Sequence, residues 1–229
     1  MNTIVKNIRD IEERITKACE RSGRKREDVT LIAVSKTFPA EIVKQAYDAG
    51  LRIFGENRPQ ELRDKSQVLP QDIQWHFIGH LQTNKIKYVL PVARLIHSVD
   101  SLHLAQALSE FAGKKNLTVP ILLEVNTSGE QTKFGFKPDE VLRAFEHIDR
   151  LPNLQLHGLM TIGPLTDDVQ RIRQSFRQLR ALQNDLRKQW GEQKTAILSM
   201  GMSGDFEIAI EEGSTHIRVG TAIFGKRGG

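Results

Sequence analysis

Leu31-Ile32-Ala33-Val34-Ser35-Lys36-Thr37 is the stretch that decides the fold. Four apolar residues, three of them branched, run directly into a lysine, and Pro39 follows almost at once. A short apolar run closed by a helix-start signal is the pattern of a buried strand in an α/β protein. It places Lys36 at the strand's carboxyl end, the edge where α/β folds put their chemistry. A lysine merely leaving the core for water is the plain alternative. The rest of the chain is arranged as if to serve Lys36.

Outward from this strand the same unit recurs. Upstream, Ile4, Ile8, Ile11, Ile15 and Cys19 fall at helical spacing and Gly23 stops them, which predicts an amphipathic helix. Downstream, a helix from about Pro39 to Ala49 precedes a second strand at 51–54, which runs into Gly55-Glu56-Asn57, and a helix covers 59–68. Further strands are expected at 73–78, 95–99, 120–125, 154–160, 196–200 and 216–219, separated by helices. Asp100-Ser101 caps the helix that begins at Leu102. Pro138 opens another as a first-turn proline, with Asp139 and Glu140 beside it. Val169, Ile172, Phe176, Leu179, Leu182 and Leu186 form the stripe of a long helix that starts near Asp168.

Eight strands alternating with helices, with no composition break, predict one α/β domain over residues 1–229. The expected form is a closed (β/α)8 TIM barrel with an extra N-terminal helix that caps its lower end or packs on its side. An open doubly wound sheet is the alternative, but the first turn lacks the G-x-G-x-x-G of a dinucleotide site.

At 229 residues and 39% hydrophobic, the chain can bury a large core. The N-terminus meets charge before any signal-peptide core forms, and no run reaches the ~18 apolar residues of a membrane span. The single cysteine, Cys19, lies on the apolar stripe of the first helix, fits a core role and suits a reducing compartment. A cytoplasmic monomer is expected, with no membrane partner. The net charge of +5 is spread among acids and aromatics are only 6%, so no stacking groove for nucleic acid is evident.

In a barrel, one face gathers Lys36, Asn57, Gly79-His80, Asp100, Asn126, Thr161, Ser199-Met200-Gly201 and Arg218-Val219-Gly220-Thr221. Barrel enzymes commonly hold a phosphate on the loops after the seventh and eighth strands. Here those loops are Met200-Gly201-Met202-Ser203-Gly204 and Gly220-Thr221-Ala222. Their glycines admit close backbone approach to an anion, and Ser203 and Thr221 add hydroxyls. Turning the chain is the simpler role for either loop alone. A lysine on one side of the mouth and a phosphate on the other fit a cofactor with an aldehyde at one end and a phosphate at the other, pyridoxal 5′-phosphate. Arg218, just before Gly220, would lie under its ring.

Several segments carry a family resemblance. They include Trp75-His76-Phe77-Ile78-Gly79-His80-Leu81-Gln82-Thr83-Asn84-Lys85, Ala33-Val34-Ser35-Lys36-Thr37, Phe54-Gly55-Glu56-Asn57, His157-Gly158-Leu159-Met160 and Leu198-Ser199-Met200-Gly201-Met202-Ser203. The run from Gly213 to Gly225 adds to them. In order and over nearly the whole chain, they resemble the pyridoxal phosphate homeostasis proteins, a family similar in fold to the N-terminal barrel of alanine racemase. The resemblance implies that Lys36 is the Schiff-base lysine and that Arg218 faces the pyridine nitrogen. It further implies that Ser203, Gly220 and Thr221 hold the phosphate and that Asn57 and Met200 line the ring. One departure is Phe134, an aromatic where relatives often carry a smaller residue.

A racemase needs a base on each face of the substrate carbon. Lys36 supplies one, whereas Tyr47 and Tyr88 fall inside helices, at packing positions. An arginine beside the ring nitrogen also makes the ring a poorer electron sink than a carboxylate would. The expected function is therefore pyridoxal phosphate homeostasis, in which the cofactor is buffered or delivered to apo-enzymes that use it, and amino-acid and keto-acid metabolism is affected indirectly. A small pyridoxal phosphate-dependent amino-acid racemase is the alternative.

Overall fold

A computed structural model describes residues 3–130 and 132–225. The ends of the expected 1–229 domain, residues 1–2 and 226–229, lie outside the described residues. The strands are β1 (Thr30–Val34), β2 (Ile53–Glu56), β3 (Gln74–Phe77), β4 (Leu95–Val99), β5 (Val119–Glu124), β6 (Leu154–Met160), β7 (Ile197–Met202) and β8 (His216–Val219). They pair in chain order, all parallel, and β8 returns to β1 to close the barrel. Closure sets Thr30 opposite His216, Ile32 opposite Arg218 and Ala33 opposite Val219. An open doubly wound sheet is thereby set aside.

The helices are α1 (Thr3–Arg21), α2 (Ala40–Asp48), α3 (Pro59–Val68), α4 (Ile86–Val89), α5 (Leu102–Lys114), α6 (Val141–Asp149), α7 (Val169–Trp190), α8 (Phe206–Glu211) and α9 (Thr221–Phe224). Their starts obey local chemistry. Ser101 Oγ accepts from the Leu104 amide at the head of α5, and the Asp168 carboxylate accepts from Gln170 and Arg171 at the head of α7. Pro138 begins a 3-10 turn, Pro138–Glu140, that leads into α6. The helix expected between the third and fourth strands is split into a 3-10 turn, Thr83–Lys85, and the single turn of α4.

Side chains alternate across the barrel wall with the period of two that a strand imposes. Leu31, Ala33, Phe54, Trp75, Phe77, Ile96, Ile121, Leu123, Ile217 and Val219 join the main core beneath the helices. The opposite parity forms an inner layer: Leu95, Leu122 and Met160 make a small cluster of their own, beside buried His76, His97, Ser199 and Arg218.

 This inner, opposite-parity layer is the one that leads up to Lys36, Asn57 and His80 at the mouth.

Of its two expected placements, α1 takes the side of the barrel, packed on α8, α9 and α2. Ile4, Ile8, Ile11, Ile15 and Cys19 are all buried there, and burial pushes the Cys19 thiol's pKa up, which suits a core residue. Arg14 pairs with Glu207 at 2.8 Å, and Asn7 Nδ2 donates to the Ile223 carbonyl at 2.8 Å. The reason is length: α8 and α9 have six and four residues, too few to cover the outer wall where the barrel closes. The first helix completes the ring that the last two leave short.

Two strands run on past their expected ends. β2 extends through Gly55 to Glu56, because Lys65 neutralises that carboxylate on the helix side of the wall. β7 runs on to Met202, with a register shift against β8 between Ser199 and Met202.

Candidate functional site

At the carboxyl ends of the strands lies a cavity of about 460 Å³. Six of the expected residues line it together: Lys36, Asn57, Ser203, Arg218, Gly220 and Thr221. Met200 does not. It is fully buried in the core outside the barrel wall, and its carbonyl accepts from Ser214 Oγ, so the expectation that it lines a ring is corrected. The cavity residue is Met202. Gly201, at φ +95°, turns the chain between the two methionines, and a Cβ there would fall 2.5 Å from Ala209 Cβ.

Lys36 is half-buried just past β1, and its two neighbours are clamped. Ser35 Oγ donates to Glu56 Oε1 at 2.7 Å, while Lys65 Nζ donates to the Ser35 carbonyl at 2.8 Å and to Glu56 Oε1 at 2.6 Å. On the other side, the Thr37 amide donates to Glu61 Oε2 at 2.7 Å, and Lys65 Nζ reaches the same oxygen at 3.1 Å. Thr37 has φ +70°, a left-handed value unfavourable for a β-branched residue. One buried ammonium from α3 therefore fixes the turn on both sides of Lys36. Burial pushes the Glu56 carboxyl's pKa up, against the pull of Lys65.

The next wall is set by a close approach. A Cβ on Gly79 would lie 2.4 Å from the Asn57 carbonyl oxygen, so only glycine lets these two strand ends meet. Asn57 Oδ1 is buried and accepts no hydrogen bond among the described residues. On the far side, the amides of Gly220 and Ala222 both point to Ser203 Oγ at 3.3 Å, which ties the β7 and β8 loops together. Backbone amides and a hydroxyl converge there, the donor set that an anion accepts from.

Arg218 forms part of the floor. Its Nη1 donates to Ser199 Oγ at 2.6 Å and its Nη2 to the Thr161 carbonyl at 2.8 Å. Burial pushes its pKa down to about 10, with Asp205 and Glu124 pulling the other way, so it remains a cation at neutral pH. Behind it, His97 Nδ1 lies 2.8 Å from Ser199 Oγ, and His97 Nε2 lies 3.0 Å from His76 Nδ1. Burial lowers His76 to about 3 and His216 to about 4, and holds His97 well below the imidazole range. These histidines are neutral supports for the arginine.

Two titratable lining residues, His80 and Glu124, were given no role by sequence reasoning. His80 Nδ1 lies 2.7 Å from Asp100 Oδ2, and the His80 ring stacks on Phe134 with centroids 3.9 Å apart. His80 and Asp100 could be placed at the right edge from the strand pattern, but nothing in the sequence pairs them. Glu124, the last residue of β5, also lines the cavity. Burial, with the charge of Asp100 second, pushes its carboxyl up to about 7, while Arg218 opposes the shift. Two residues placed on this edge serve elsewhere: Asn126 Nδ2 donates to the Glu130 carbonyl, and Thr161 Oγ1 to that of Val125.

Comparison with known proteins places this geometry. The family model for the alanine racemase N-terminal domain matches residues 7–228. A pyridoxal phosphate homeostasis protein of Aquifex aeolicus is 46% identical over 216 residues, covering 94% of each chain. The chain belongs to the pyridoxal phosphate homeostasis protein family. The structure of a family member from Synechococcus elongatus PCC7942, PipY with PLP bound, superposes with a TM-score of 0.81 at 37% identity, covering 94% of this chain and 100% of that one. An alanine racemase of Clostridium difficile 630 shares the fold at a TM-score of 0.80 and 16% identity, covering all of this chain but 58% of the racemase.

The Glu124 carboxyl gives a test of the mouth's electrostatics. Its folded value near 7 against 4.5 unfolded means the folded state holds the extra proton between those limits. Wild-type stability should therefore fall, relative to Glu124→Gln, as pH rises from about 4.5 to 7, by about 3 kcal/mol in all. The buried neutral histidines act in the opposite sense and cancel in the comparison. Urea unfolding of both apoproteins at pH 4.5 and pH 8 measures it; equal differences at the two pH values would refute the raised carboxyl.

Proposed function

We propose that this chain binds pyridoxal 5′-phosphate at the barrel mouth as a Schiff base on Lys36 and buffers or delivers it inside the cell. The observation that carries the reading is one cavity shared by a clamped lysine and the converging donors of Ser203, Gly220 and Thr221. The residues fit the cofactor: a primary amine for the aldehyde, a donor cradle for the phosphate, a buried acceptor on Asn57 in need of a partner, and a cation in the floor. The names and contents of the relatives point the same way.

When bound, the cofactor supplies an electrophilic aldehyde that condenses with an amine. Lys36 provides the amine, and its clamped turn limits where Nζ can reach. Ser203, Thr221 and the loop amides would hold the anionic end and so orient the aldehyde end toward Lys36. Arg218 cannot give up a proton at neutral pH, so it keeps a facing ring nitrogen unprotonated. A ring so held is a weak electron sink, suited to carriage more than to turnover. The chain acts as a cytoplasmic monomer in this reading, and acceptor apo-enzymes are its partners.

The alternative, a small amino-acid racemase, lacks a tyrosine at the mouth among the described residues. Tyr47 donates to Asp72 Oδ1 at 2.7 Å with the Arg52 guanidinium 4.0 Å from its ring centroid, and the Tyr88 ring lies near Arg63. Neither lines the cavity. Deuterium uptake at the α-carbon of alanine or serine should stay at background in the loaded protein. Robust uptake that Lys36→Ala abolishes would establish the racemase instead.

Two further outcomes are expected. Borohydride should fix the cofactor onto Lys36, read by peptide mass mapping, and Lys36→Ala should lose the visible Schiff-base band while keeping its fold; labelling of Lys85 or Lys133 instead contradicts the assignment. Pyridoxal without its phosphate should bind far more weakly than the phosphate ester, and Ser203→Ala and Thr221→Ala should each weaken the ester by about 1–3 kcal/mol in equilibrium titrations. Equal affinity for the two ligands would exclude the cradle.

A further inference from the structure

We propose that His80 is the proton-transfer group that loads the cofactor onto Lys36 and unloads it, with Asp100 as its positioning residue. The inference rests on the cofactor reading above. His80 and Lys36 line the same cavity. The imidazole is held on two sides. Asp100 Oδ2 lies 2.7 Å from Nδ1, and the Phe134 ring covers one face, inclined by only 13°. Asp100 is fixed in turn, because its other oxygen accepts from Ser101 Oγ at 3.1 Å and its side chain is only 7% exposed. The loop that carries His80 is anchored by Ser98 Oγ, which donates to the Gly79 carbonyl.

A carboxylate on Nδ1 selects the Nδ1–H tautomer and leaves Nε2 as the proton acceptor, the logic of an oriented general base. The core does not require such an arrangement, since the His80 side chain is 40% exposed. Loading needs this kind of group. Lys36 Nζ, as the neutral amine, forms a bond to the aldehyde carbon, and the carbonyl oxygen leaves as water. Both protons of that water come from Nζ. His80 takes one from the nitrogen and gives it to the departing oxygen, ending as it began. In unloading, it takes a proton from the attacking water and returns it to the nitrogen of Lys36. No electrons are transferred and no co-reactant besides water is consumed.

A group that only transfers protons speeds both directions equally and leaves the equilibrium alone, which a packing or binding role does not. Stopped-flow mixing of apoprotein with pyridoxal 5′-phosphate, followed at the visible band, gives the loading rate. Dilution of loaded protein into a phosphatase trap gives the unloading rate. His80→Gln should slow both by the same factor, about 100-fold or more, with Kd unchanged. Asp100→Asn should slow both less, and added imidazole should restore the rates of His80→Gly. Unchanged rates in His80→Gln would overturn the proposal, as would a change in one rate matched by a change in Kd. Slowing by Glu124→Gln alone would also overturn it and move the role to that carboxyl. Failure of the underlying reading shows separately, as wild-type protein that borohydride does not label at Lys36.

Discussion

Backbone pairing of β1 with β8 joins residues 30–33 to 216–219, and the mouth exists only because of it. The Thr30 amide donates to the Thr215 carbonyl at 2.7 Å at the start of the seam. At its far end a Cβ on Gly220 would lie 3.1 Å from the Val34 carbonyl oxygen, so the last loop rests directly on the strand that carries Lys36. Lysine and anion cradle come from opposite ends of the chain. The contact joins residues 186 positions apart, so its closure carries a large loop-entropy cost. Closure also removes both sheet edges. α1 then seals the seam from outside, where the short α8 and α9 leave it thin.

Around that seam the protein handles buried charge in two ways. Behind Arg218 it uses neutral polar groups: Ser199 can accept from the guanidinium and donate its single proton to His97 Nδ1, leaving His97 Nε2–H to donate to His76. A cation is thus supported without a buried anion in direct contact with it, and its charge stays directed at the cavity. Beside Lys36 it uses ions instead, with Lys65 set against Glu56 and Glu61. Such a pair contributes little net stability compared with apolar packing, but removal of one partner leaves an uncompensated charge, which makes the geometry hard to vary.

The architecture was legible because its signal is carried by many residues: branched runs, caps such as Ser101 and Asp168, and the stripe of α7. Lys36, Asn57, Ser203, Arg218, Gly220 and Thr221 were legible from strand position, and the family motifs added the ring-facing roles expected of Asn57 and Arg218. What escaped has physical causes. Glu56 extends a strand only because Lys65, nine residues later in sequence, enters the core to meet it. Met200 and Met202 have the same strand parity, so pattern alone assigns them one face; the positive φ of Gly201 and the shifted register separate them. Glu124 shares the inward parity of Leu122 in β5, but its raised carboxyl depends on burial and on Asp100 across the mouth; the Phe134 contact and the pairing of His80 with Asp100 depend on loops meeting there, which no local pattern encodes.

The clamp around Lys36 also settles a question of chemical selectivity. An aldehyde does not distinguish one primary amine from another by kind, and this chain carries a second one, Lys65, bonded to the residue next to Lys36. Lys65 Nζ is held between two carboxylates and a carbonyl, on the helix side of the wall, with its side chain only 8% exposed. Its Nζ is engaged in three hydrogen bonds and does not line the cavity. The competing nucleophile has been consumed as a structural part, so the amine that shapes the site cannot react in it.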